Sequence, residues 1–571
     1  MGFVHLAPLL GTMSTTQLFF LLGILTHLLY FRHGEWDLYA FHLLISFCSA
    51  QILLAAYFVA CEGIAYAQAW SFSIKVSIFF LSGVYISLLT YRAAFHRLNR
   101  FPGPLAARLS NLYITILSVK RFQRHREIMR LHKRYGDIVR VGPSELSIND
   151  PALFHSIHSK SSTFTKGPWY NLMHPVVSLH MIRDHEEHSR RRKIWDKGFS
   201  SKALREYEPR VALYTEQLLK RIVCSGNQTV NVTALFNYYS FDVMGDLAFG
   251  RSFNMLRDGA AHKYMKSSHD NMLTATAFSH LVWIFPIVKK IPGLNYEHVR
   301  LQKWLTEQVE QRRQSPPTTP DIFSWLLNGF ENLDCPTPQD EVNLVGDAHL
   351  VVVAGSDLTA ASITCLFYQL ALHPRIMAKL VTEIDQFYTK YEHPSHQGLS
   401  KLEYLNACID ESLRLYPPVP SGLQRISSPQ GCHVGDLYIP GNTIVQIPSY
   451  AMYRDAKNFT LPNDFIPERW TTRPELTRDS SIYAPFSIGR IYFPLIGSKN
   501  SSFLIIRVGS YSCVGKQLGL MELRFVTSQI LKHFNVNLPN DFDPNQFPDG
   551  VKDGLTIVAP DLNLAFTRRH C

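Results

Sequence analysis

A single cysteine near the C-terminal end of the chain lies in a setting that suits metal ligation. Cys513 is followed by Val514-Gly515, and a helix-like pattern begins at Lys516 and continues to Phe525. The first turn of a helix stabilises a thiolate through the positive end of the helix dipole and its free backbone N–H groups. Such a thiolate is suited to ligate haem iron, where its electron donation promotes O–O cleavage. The alternative is a buried cysteine that acts as a small hydrophobic side chain, which is the usual role of an isolated cysteine.

The composition argues against several classes of protein. The chain has 571 residues, a formal net charge of +11 and nine cysteines. The cysteine count is odd and no CxxC pair occurs, which argues against a disulfide framework or a zinc site and predicts a reducing compartment. The positive charge favours an acidic partner or an anionic membrane surface. We expect no nucleic-acid binding, because the chain has neither a basic repeat nor an RNP-like aromatic motif.

The N-terminal part of the chain has the pattern of a membrane anchor. Residues 6–31, 39–61 and 76–91 are three runs without Asp, Glu, Lys or Arg. A span needs about 20 apolar residues, so these runs predict two to three transmembrane helices within residues 1–91. The third run reaches this length only if its helix also extends back past Lys75.

Residues 92–104 join this anchor to the rest of the chain. Arg92, Arg97 and Arg100 form a basic flank, and Phe101-Pro102-Gly103-Pro104 follows. The positive-inside rule places such a flank in the cytosol. Proline fixes φ and lacks an N–H, so the segment predicts a stiff hinge before a globular domain over residues 105–571.

A very basic segment lies between residues 185 and 200. His188 and Arg192 are four residues apart, so in a helix they share one face and can bind carboxylates together. The alternative is a solvated basic face, which is the usual explanation of such a run.

Residues 349–372 are apolar over their length and predict a buried helix. The run is interrupted by Ala354-Gly355-Ser356-Asp357-Leu358-Thr359. Glycine and polar side chains inside a core helix cost stability, so they indicate either a functional site or a local distortion.

Two further segments predict a charged network. Glu411 and Arg414 are three residues apart on one helical turn and can pair. Arg469, in the segment 465–470, is a second arginine that completes a Glu–Arg–Arg set. A single ExxR pattern is weak evidence, because it occurs by chance in many helices.

The order of these segments resembles that of the cytochrome P450 family of haem-thiolate monooxygenases. The resemblance covers the chain from about Arg92 onward, and finer features resemble fungal microsomal members of secondary metabolism. It implies a mainly α fold with small β-sheets, preceded here by N-terminal transmembrane helices. The segments that carry the resemblance are the anchor, the proline hinge, AGSDLT, ESLR, PERW, FSIGR and YSCVGKQLG, together with FDVMGDLAFGRSFNML and DIFSWLL.

The resemblance also implies roles for individual residues. Cys513 would be the iron ligand of haem b, and Asp357 with Thr359 would serve a distal proton relay. The implied partners of the haem propionates are His188, Arg192 and Arg425. The implied structural network is Glu411, Arg414 and Arg469. The implied basic face for an acidic NADPH–cytochrome P450 reductase is Lys197, Lys516 and Arg524.

The implied activity is insertion of one oxygen atom of O2 into a lipophilic small molecule, with electrons from NADPH. The apolar segments 169–173 and 419–423 are expected to line its pocket. The implied location is the endoplasmic reticulum membrane, with the catalytic domain in the cytosol.

Two departures from the family pattern leave alternatives open. The family has threonine directly after the acid, where this chain has Leu358, and Thr359 is turned by about 100° around the helix. The family loop runs Phe-x-x-Gly-x-x-x-Cys without interruption, but here residues 491–510 are inserted after Arg490. We interpret this apolar segment of 20 residues, without a place in the family fold, as a candidate retained intron; a genuine loop, in which Gly509 restores the glycine four before the cysteine, is the alternative. The alternatives for function are a haem-thiolate isomerase, dehydratase or peroxygenase, or a catalytically impaired protein.

Overall fold

The computed structural model describes residues 14–159, 162–226, 228–488, 490–494, 503–507 and 511–569. The fold is mainly helical with small sheets, as predicted. The helices are α1 (Thr15–Thr26), α2 (Ala40–Glu62), α3 (Tyr66–Thr90), α4 (Leu105–Leu109), α5 (Leu112–Arg121), α6 (Arg124–Tyr135), α7 (Pro151–His158), α8 (His185–Gly198), α9 (Ser201–Cys224), α10 (Val232–Phe249), α11 (Met255–Asp258), α12 (Lys263–Ala277), α13 (Ile284–Lys290), α14 (Tyr296–Gln314), α15 (Ile322–Glu331), α16 (Pro338–Leu372), α17 (Pro374–Tyr388), α18 (His396–Leu399), α19 (Glu403–Leu415), α20 (Ser449–Met452), α21 (Lys516–His533) and α22 (Gln546–Gly550). The strands are β1 (Ile138–Gly142), β2 (Glu145–Ile148), β3 (Thr165–Lys166), β4 (Val230–Asn231), β5 (Arg425–Ile426), β6 (Cys432–Val434), β7 (Leu437–Ile439), β8 (Ile444–Gln446), β9 (Arg490–Pro494), β10 (Phe503–Arg507), β11 (Phe534–Asn537), β12 (Lys552–Gly554), β13 (Thr556–Val558) and β14 (Asn563–Arg568).

The described chain forms two compact units. The first comprises the residues up to Thr115 together with Arg140–Glu145 and Phe278–Tyr296. The second comprises Ile116–Val139, Leu146–Ala277 and the residues from Glu297 onward.

The first unit contains the apolar N-terminal helices. Asp37–Glu62 and Tyr66–Phe95 are long and apolar enough to cross a membrane, and Thr15–Phe31 is a shorter apolar helix. The third predicted run therefore does extend back past Lys75, to Tyr66. This finding supplies the length that the uncharged run alone lacks.

Two glycines allow α1 and α3 to approach closely. A Cβ atom on Gly23 would lie 2.1 Å from the carbonyl oxygen of Phe80, and one on Gly83 would lie 2.1 Å from that of Phe20. Any larger side chain at either position would push the two backbones apart. Small residues at a helix contact are typical of packing within membranes, where close backbone approach replaces the hydrophobic effect.

The second unit is built around α16. Thr337 caps its first turn, because its side chain accepts the N–H of Asp340 while the Asp340 carboxylate accepts the N–H of Thr337. This reciprocal capping box starts the helix eleven residues before the predicted apolar run at His349. The helix is long and apolar enough to span a membrane, but 72% of its most apolar window is buried inside the protein, so it is a core helix. Its neighbours include α10, α19 and α21.

Short sheets surround this helical core. In the largest sheet, β2, β8, β5 and β3 are neighbours in that order, and the β3–β5 pairing sets Lys166 opposite Arg425. A three-stranded sheet has the order β11-β14-β4, and β6–β7 and β12–β13 are separate antiparallel pairs. The pairing of β3 with β5 brings two cations together that are far apart in the chain.

The inserted segment has more structure than the sequence predicts. β9 and β10 pair antiparallel, with Ile491 opposite Ile506 and Arg490 opposite Arg507. The described residues of the segment thus pair only with each other, as a separate two-stranded sheet that forms the stem of a hairpin, and the expectation that the segment has no place in the family fold stays a prediction. Residues 495–502 and 508–510, including Gly509, lie outside the described residues.

Candidate active site

The predicted cysteine loop closes on itself across the insertion. The backbone N–H of Cys513 donates to the carbonyl oxygen of Phe486, with an N–O distance of 2.9 Å. α21 begins three residues later, at Lys516. Because this hydrogen bond joins the two sides of the loop, the inserted hairpin leaves and rejoins the loop without opening it.

The surroundings of the Cys513 sulfur act on its pKa in opposite directions. Burial raises the pKa of the thiol above its ordinary value, whereas the N–H of Gly515 and the charges of Arg192 and Lys516 lower it. Cys513 is nevertheless exposed. Coordination to a metal ion deprotonates a thiol outright. The residue is therefore accessible to a bound metal centre and has donors that stabilise the thiolate.

A cluster of cations lies beside this loop. Lys166 and Arg425, which are opposite each other in the β3–β5 pair, are each 3% exposed. The Lys166 ammonium lies 4.8 Å from the ring centre of Tyr511, and the Arg425 guanidinium lies 4.9 Å from it. Lys166 Nζ also donates to the carbonyl oxygen of His180 at 2.7 Å, and Arg425 Nη1 lies 3.1 Å from the hydroxyl of Tyr170. We call these two cations and the Tyr511 ring the propionate cluster.

The described residues provide no counter-charge to the basic side chains of the propionate cluster. Within the described ranges, no carboxylate forms an ion pair with Lys166 or Arg425. Burial, followed by the charges of Arg425, Arg192 and Arg191, lowers the pKa of Lys166 to about 6. Burial without a counter-charge disfavours the protonated form of Lys166, and a carboxylate bound beside it would favour that form again, so the cluster fits an anionic ligand. Two carboxylates of a cofactor bound at this loop would meet this requirement.

The two residues predicted on the basic helix also lie at this place. The His188 ring is 4.8 Å from the ring of Tyr511, and Arg192 Nη1 donates to the carbonyl oxygen of Ser512 at 2.6 Å. Arg192 also pairs with Asp196 at 2.8 Å, so part of its charge is neutralised. Burial and the neighbouring cations, Lys166 first, lower the pKa of His188 to about 3, so its imidazole is neutral near pH 7.

The structure therefore brings together His188, Arg192, Arg425 and Cys513, and it adds Lys166, which the sequence analysis missed. Lys166 lies among apolar and aromatic residues in the run Phe164-Thr-Lys-Gly-Pro-Trp-Tyr170. A single basic residue within an otherwise apolar and aromatic run is the sequence feature that could have identified Lys166 as part of the site. A cavity of about 220 Å³ adjoins the cluster and is lined by Phe164, Arg425 and Tyr511, among others.

The predicted relay residues of α16 point to different neighbours. Asp357 Oδ1 pairs with His269 Nε2 of α12 at 2.8 Å, while Oδ2 is buried and has no hydrogen-bond partner in the part of the chain that the structure describes. The Ser356 hydroxyl donates to the carbonyl oxygen of Ser240 at 3.2 Å. Thr359 Oγ1 faces α21, where it lies 3.7 Å from the position of a Cβ on Gly519. Asp357 and Thr359 are thus both buried, but their polar atoms do not meet.

The predicted Glu–Arg–Arg set forms a fully buried network. Arg414 binds both carboxylate oxygens of Glu411 at 2.9 Å, and Arg469 Nε binds one of them at 2.9 Å. Trp470 Nε1 and the N–H of Ile466 also donate to this carboxylate, each at 3.0 Å. All three charged side chains of the set are 0% exposed. The remaining guanidinium donors bind backbone carbonyl oxygens, so the network ties α19 to the segment before the cysteine loop.

One predicted member of the basic docking face is placed elsewhere. Arg524 is 8% exposed, and its Nε donates to Asn406 Oδ1 at 2.8 Å. Burial lowers its pKa to about 10. Arg524 is therefore part of the core and is not available to a partner protein, whereas Lys197 and Lys516 are exposed.

The segments expected to line a substrate pocket are mostly buried. Trp169 and Leu172 are 7% and 3% exposed, and Tyr170 belongs to the surroundings of Arg425. Ser421 is hydrogen-bonded to the carboxylate of Asp553. Part of the first segment therefore faces the propionate cluster.

Comparisons with known proteins agree on one family. The sequence model described as "Cytochrome P450" matches residues 104–491, and this match ends at the first residue of the insertion. A protein named "Cytochrome P450 monooxygenase FCK2" from Fusarium pseudograminearum is 51% identical over 97% of this chain and 97% of its own. "Tryprostatin B 6-hydroxylase" from Aspergillus fumigatus is 35% identical over 96% of each chain. The crystal structure of the "cytochrome P450DA heme domain" superposes with a TM-score of 0.64 at 18% identity, over 80% of this chain and 95% of that one.

Proposed function

Since the chain belongs to the cytochrome P450 family and is a haem-thiolate monooxygenase, we propose that Cys513 ligates its iron and that the propionate cluster binds its propionates. The overall reaction joins one oxygen atom of O2 to a lipophilic substrate and reduces the other atom to water. NADPH supplies two electrons and, with a proton from water, balances the equation. The relatives favour this activity over an isomerase, a dehydratase or a peroxygenase. The observation that carries the assignment of the site is the exposed Cys513, two residues from Tyr511, whose ring contacts two buried basic side chains that have no carboxylate partner among the described residues.

The bound haem supplies the activation of dioxygen, and the chain supplies binding and orientation. The Cys513 sulfur would hold the iron, and the N–H of Gly515 would stabilise its negative charge. Lys166 and Arg425 would bind carboxylates from the edge formed by β3 and β5, and His188 with Arg192 from α8. Glu411, Arg414 and Arg469 do not reach this edge, and we assign them the role of holding the core beneath the cysteine loop.

The substrate class follows from the same relatives. One relative is a hydroxylase of tryprostatin B by its name, and others are named as monooxygenases. We propose that this chain hydroxylates or otherwise oxygenates a lipophilic secondary metabolite. Indole alkaloids, terpenoids and polyketides all have this character.

We also propose a membrane location and a partner. Residues 1–91 would anchor the enzyme in the endoplasmic reticulum, and residues 92–104 would form the hinge to a cytosolic catalytic domain over residues 105–571. Lys197 and Lys516 are exposed and would meet an acidic NADPH–cytochrome P450 reductase. Protease added to intact microsomes should then digest the chain beyond Phe101, and a protected domain would contradict the cytosolic orientation.

The assignment of the iron ligand is tested by the spectrum of the reduced protein with carbon monoxide. A thiolate–iron complex gives a strongly red-shifted Soret band, so the wild type should show it and Cys513→Ser should lose it. Cys335→Ser is the matched control, because Cys335 is exposed and lies outside the site. An unchanged band in Cys513→Ser would show that another residue ligates the iron.

A further inference from the structure

We propose that His269 is the proton donor to Asp357 and that the two residues form the route by which protons from solvent reach the distal side of the site. The proposal rests on the monooxygenase function and identifies one more residue that serves it. It is motivated by the position of Leu358, where the family pattern has a hydroxyl.

The geometry of the pair suits proton transfer from solvent to the interior. His269 Nε2 lies 2.8 Å from Asp357 Oδ1, which is within the range for a charge-assisted hydrogen bond. The His269 side chain is 33% exposed, whereas that of Asp357 is 8% exposed. One ring therefore contacts both solvent and a buried carboxylate, and Asp357 Oδ2 is left as the oxygen that can pass a proton onward.

The neighbouring hydroxyl groups of α16 are directed elsewhere. Ser356 donates to Ser240, and Thr359 faces Gly519 on α21. Within the segment 354–359, Asp357 is therefore the polar side chain with an unused buried atom. His269 of α12 therefore provides a proton donor beside Asp357, in a chain that lacks the threonine hydroxyl of the family pattern.

The groups around His269 favour its protonated form. Burial alone lowers the pKa of His269, but the hydrogen bond and charge of Asp357, and then the charge of Asp270, raise it above the ordinary value overall. Phe241 of α10 packs against the imidazole at a ring distance of 5.6 Å. Tyr264, five residues before His269 on α12, is buried and has a strongly raised pKa, so it stays neutral. These interactions shift the imidazole toward its protonated form, in which Nε2–H donates to the Asp357 carboxylate.

The transfer balances as follows. His269 Nε2–H gives its proton to Asp357 Oδ1, which leaves a neutral imidazole with a proton on Nδ1. Rotation of the Asp357 carboxyl group about its Cβ–Cγ bond then carries this O–H to the place of the unpaired oxygen, from which the same proton passes to the distal side and leaves the carboxylate. Rotation of the partly exposed imidazole then lets Nε2 take a proton from water before it returns to Asp357. Each cycle of this transfer moves one proton inward, and the reduction of oxygen to water requires such protons.

The test compares two substitutions that separate proton transfer from simple positioning. His269→Gln keeps a hydrogen-bond donor, and His269→Arg keeps a positive charge beside Asp357, but neither releases a proton near pH 7. Lys266→Gln is the matched control, because Lys266 is exposed on the same helix. The readout needs no substrate: with reductase and NADPH, reduction of O2 to peroxide consumes one NADPH, and reduction to two waters consumes two.

We expect both His269 variants to lower the fraction of oxygen reduced to water about threefold and to raise peroxide accordingly, since a positioned proton donor is worth tenfold or more before bypass by water. The control should match the wild type. Wild-type behaviour of His269→Arg would show that His269 only positions Asp357, and wild-type behaviour of both variants would exclude any role; either result overturns the proposal. If the wild type shows the thiolate Soret band and oxidises NADPH, these failures concern the relay alone and leave the monooxygenase function intact.

A second readout does not depend on turnover. A histidine with a raised pKa stabilises the fold fully below its unfolded value of about 6.5, and this stabilisation is lost as pH rises through the folded value. The midpoint of thermal unfolding of the wild type should therefore exceed that of His269→Gln most at pH 6, and the difference should shrink by pH 8.5. A difference that does not change with pH would show that the pair is not charged and would overturn the proposed donor.

Discussion

Deletion of residues 491–510 tests how far the inserted hairpin perturbs the cysteine loop. Phe486 and Cys513 are separated by 26 residues in the chain, and the deletion leaves six, as in the uninterrupted family pattern. The hydrogen bond from the Cys513 N–H to the Phe486 carbonyl oxygen shows that these two ends already meet with the hairpin present. A direct bond from Arg490 to Tyr511 therefore has the length that the closed loop needs.

The expected gain follows from the entropy of loop closure. This cost grows as three-halves of RT times the logarithm of loop length, so the change from 26 to six residues is worth at most about 1.3 kcal/mol. That energy corresponds to about a ninefold change in the population of the closed loop. The antiparallel pairing of β9 with β10 already orders part of the segment, which makes this value an upper limit.

The assay measures haem content and reduction rate in the same preparations. We expect the deletion to raise the haem-to-protein ratio and to speed reduction by the reductase under carbon monoxide. The matched control replaces residues 495–502 by Asn-Gly, which suits a two-residue hairpin turn between the paired Pro494 and Phe503. This control keeps the stem, so it separates an effect of the protruding tip from an effect of loop length.

Lower haem content after the full deletion would refute this reasoning. It would mean that the hairpin stem supports the cysteine loop, and the interpretation of the segment as a retained intron would be wrong. A gain with the control alone would instead assign the perturbation to the tip.

Three further predictions concern other parts of the molecule. Glu411→Gln leaves two buried guanidinium groups without a carboxylate, so the free energy of unfolding measured in urea should fall by about 3–5 kcal/mol. Glu403→Gln is the control, because Glu403 is exposed on the same helix, and it should change this free energy by less than about 0.5 kcal/mol. Gly83→Leu places atoms where the α1 backbone lies, and it should lower the fraction of protein recovered in carbonate-washed membranes; full recovery would show that this helix contact is dispensable. Leu358→Thr restores the family hydroxyl and, in the absence of substrate, should raise the NADPH consumed per O2 toward two; an unchanged ratio would mean that the relay does not use this position.

The sequence was sufficient for features that depend on local spacing. The Glu411–Arg414 pair follows from three-residue spacing in a helix, and the apolar run at residues 349–372 predicted the core helix within α16. The start of α16 was placed late, because the residues after Thr337 are amphipathic and only the capping box marks them as helical. Such a cap is visible in the sequence but is too common to fix a helix boundary alone.

Features that depend on distant neighbours could not be predicted. Spacing gives the angle between Asp357 and Thr359 around the helix, but it does not say that Gly519 leaves room for the Thr359 hydroxyl against α21. His269 lies in an ordinary helical pattern, and its role appears only when α12 and α16 meet. Likewise, arginine is usually a surface residue, but Arg524 is buried in the core, where its Nε donates to Asn406.

The Glu411 network and the Lys166–Arg425 pair, both in the second unit, differ in the source of their counter-charge. At Glu411 the chain provides both charges, and every distance is that of a direct hydrogen bond. At Lys166 and Arg425 the described chain provides only cations, held against an aromatic ring that attracts them weakly compared with a carboxylate. An anionic ligand that binds the folded protein and not the unfolded chain stabilises the fold by mass action. Because these two basic side chains contact Tyr511 of the cysteine loop, haem bound with its carboxylates beside them would supply the missing negative charge next to the proposed iron ligand. We therefore expect haem affinity and folding stability to be coupled through Lys166 and Arg425.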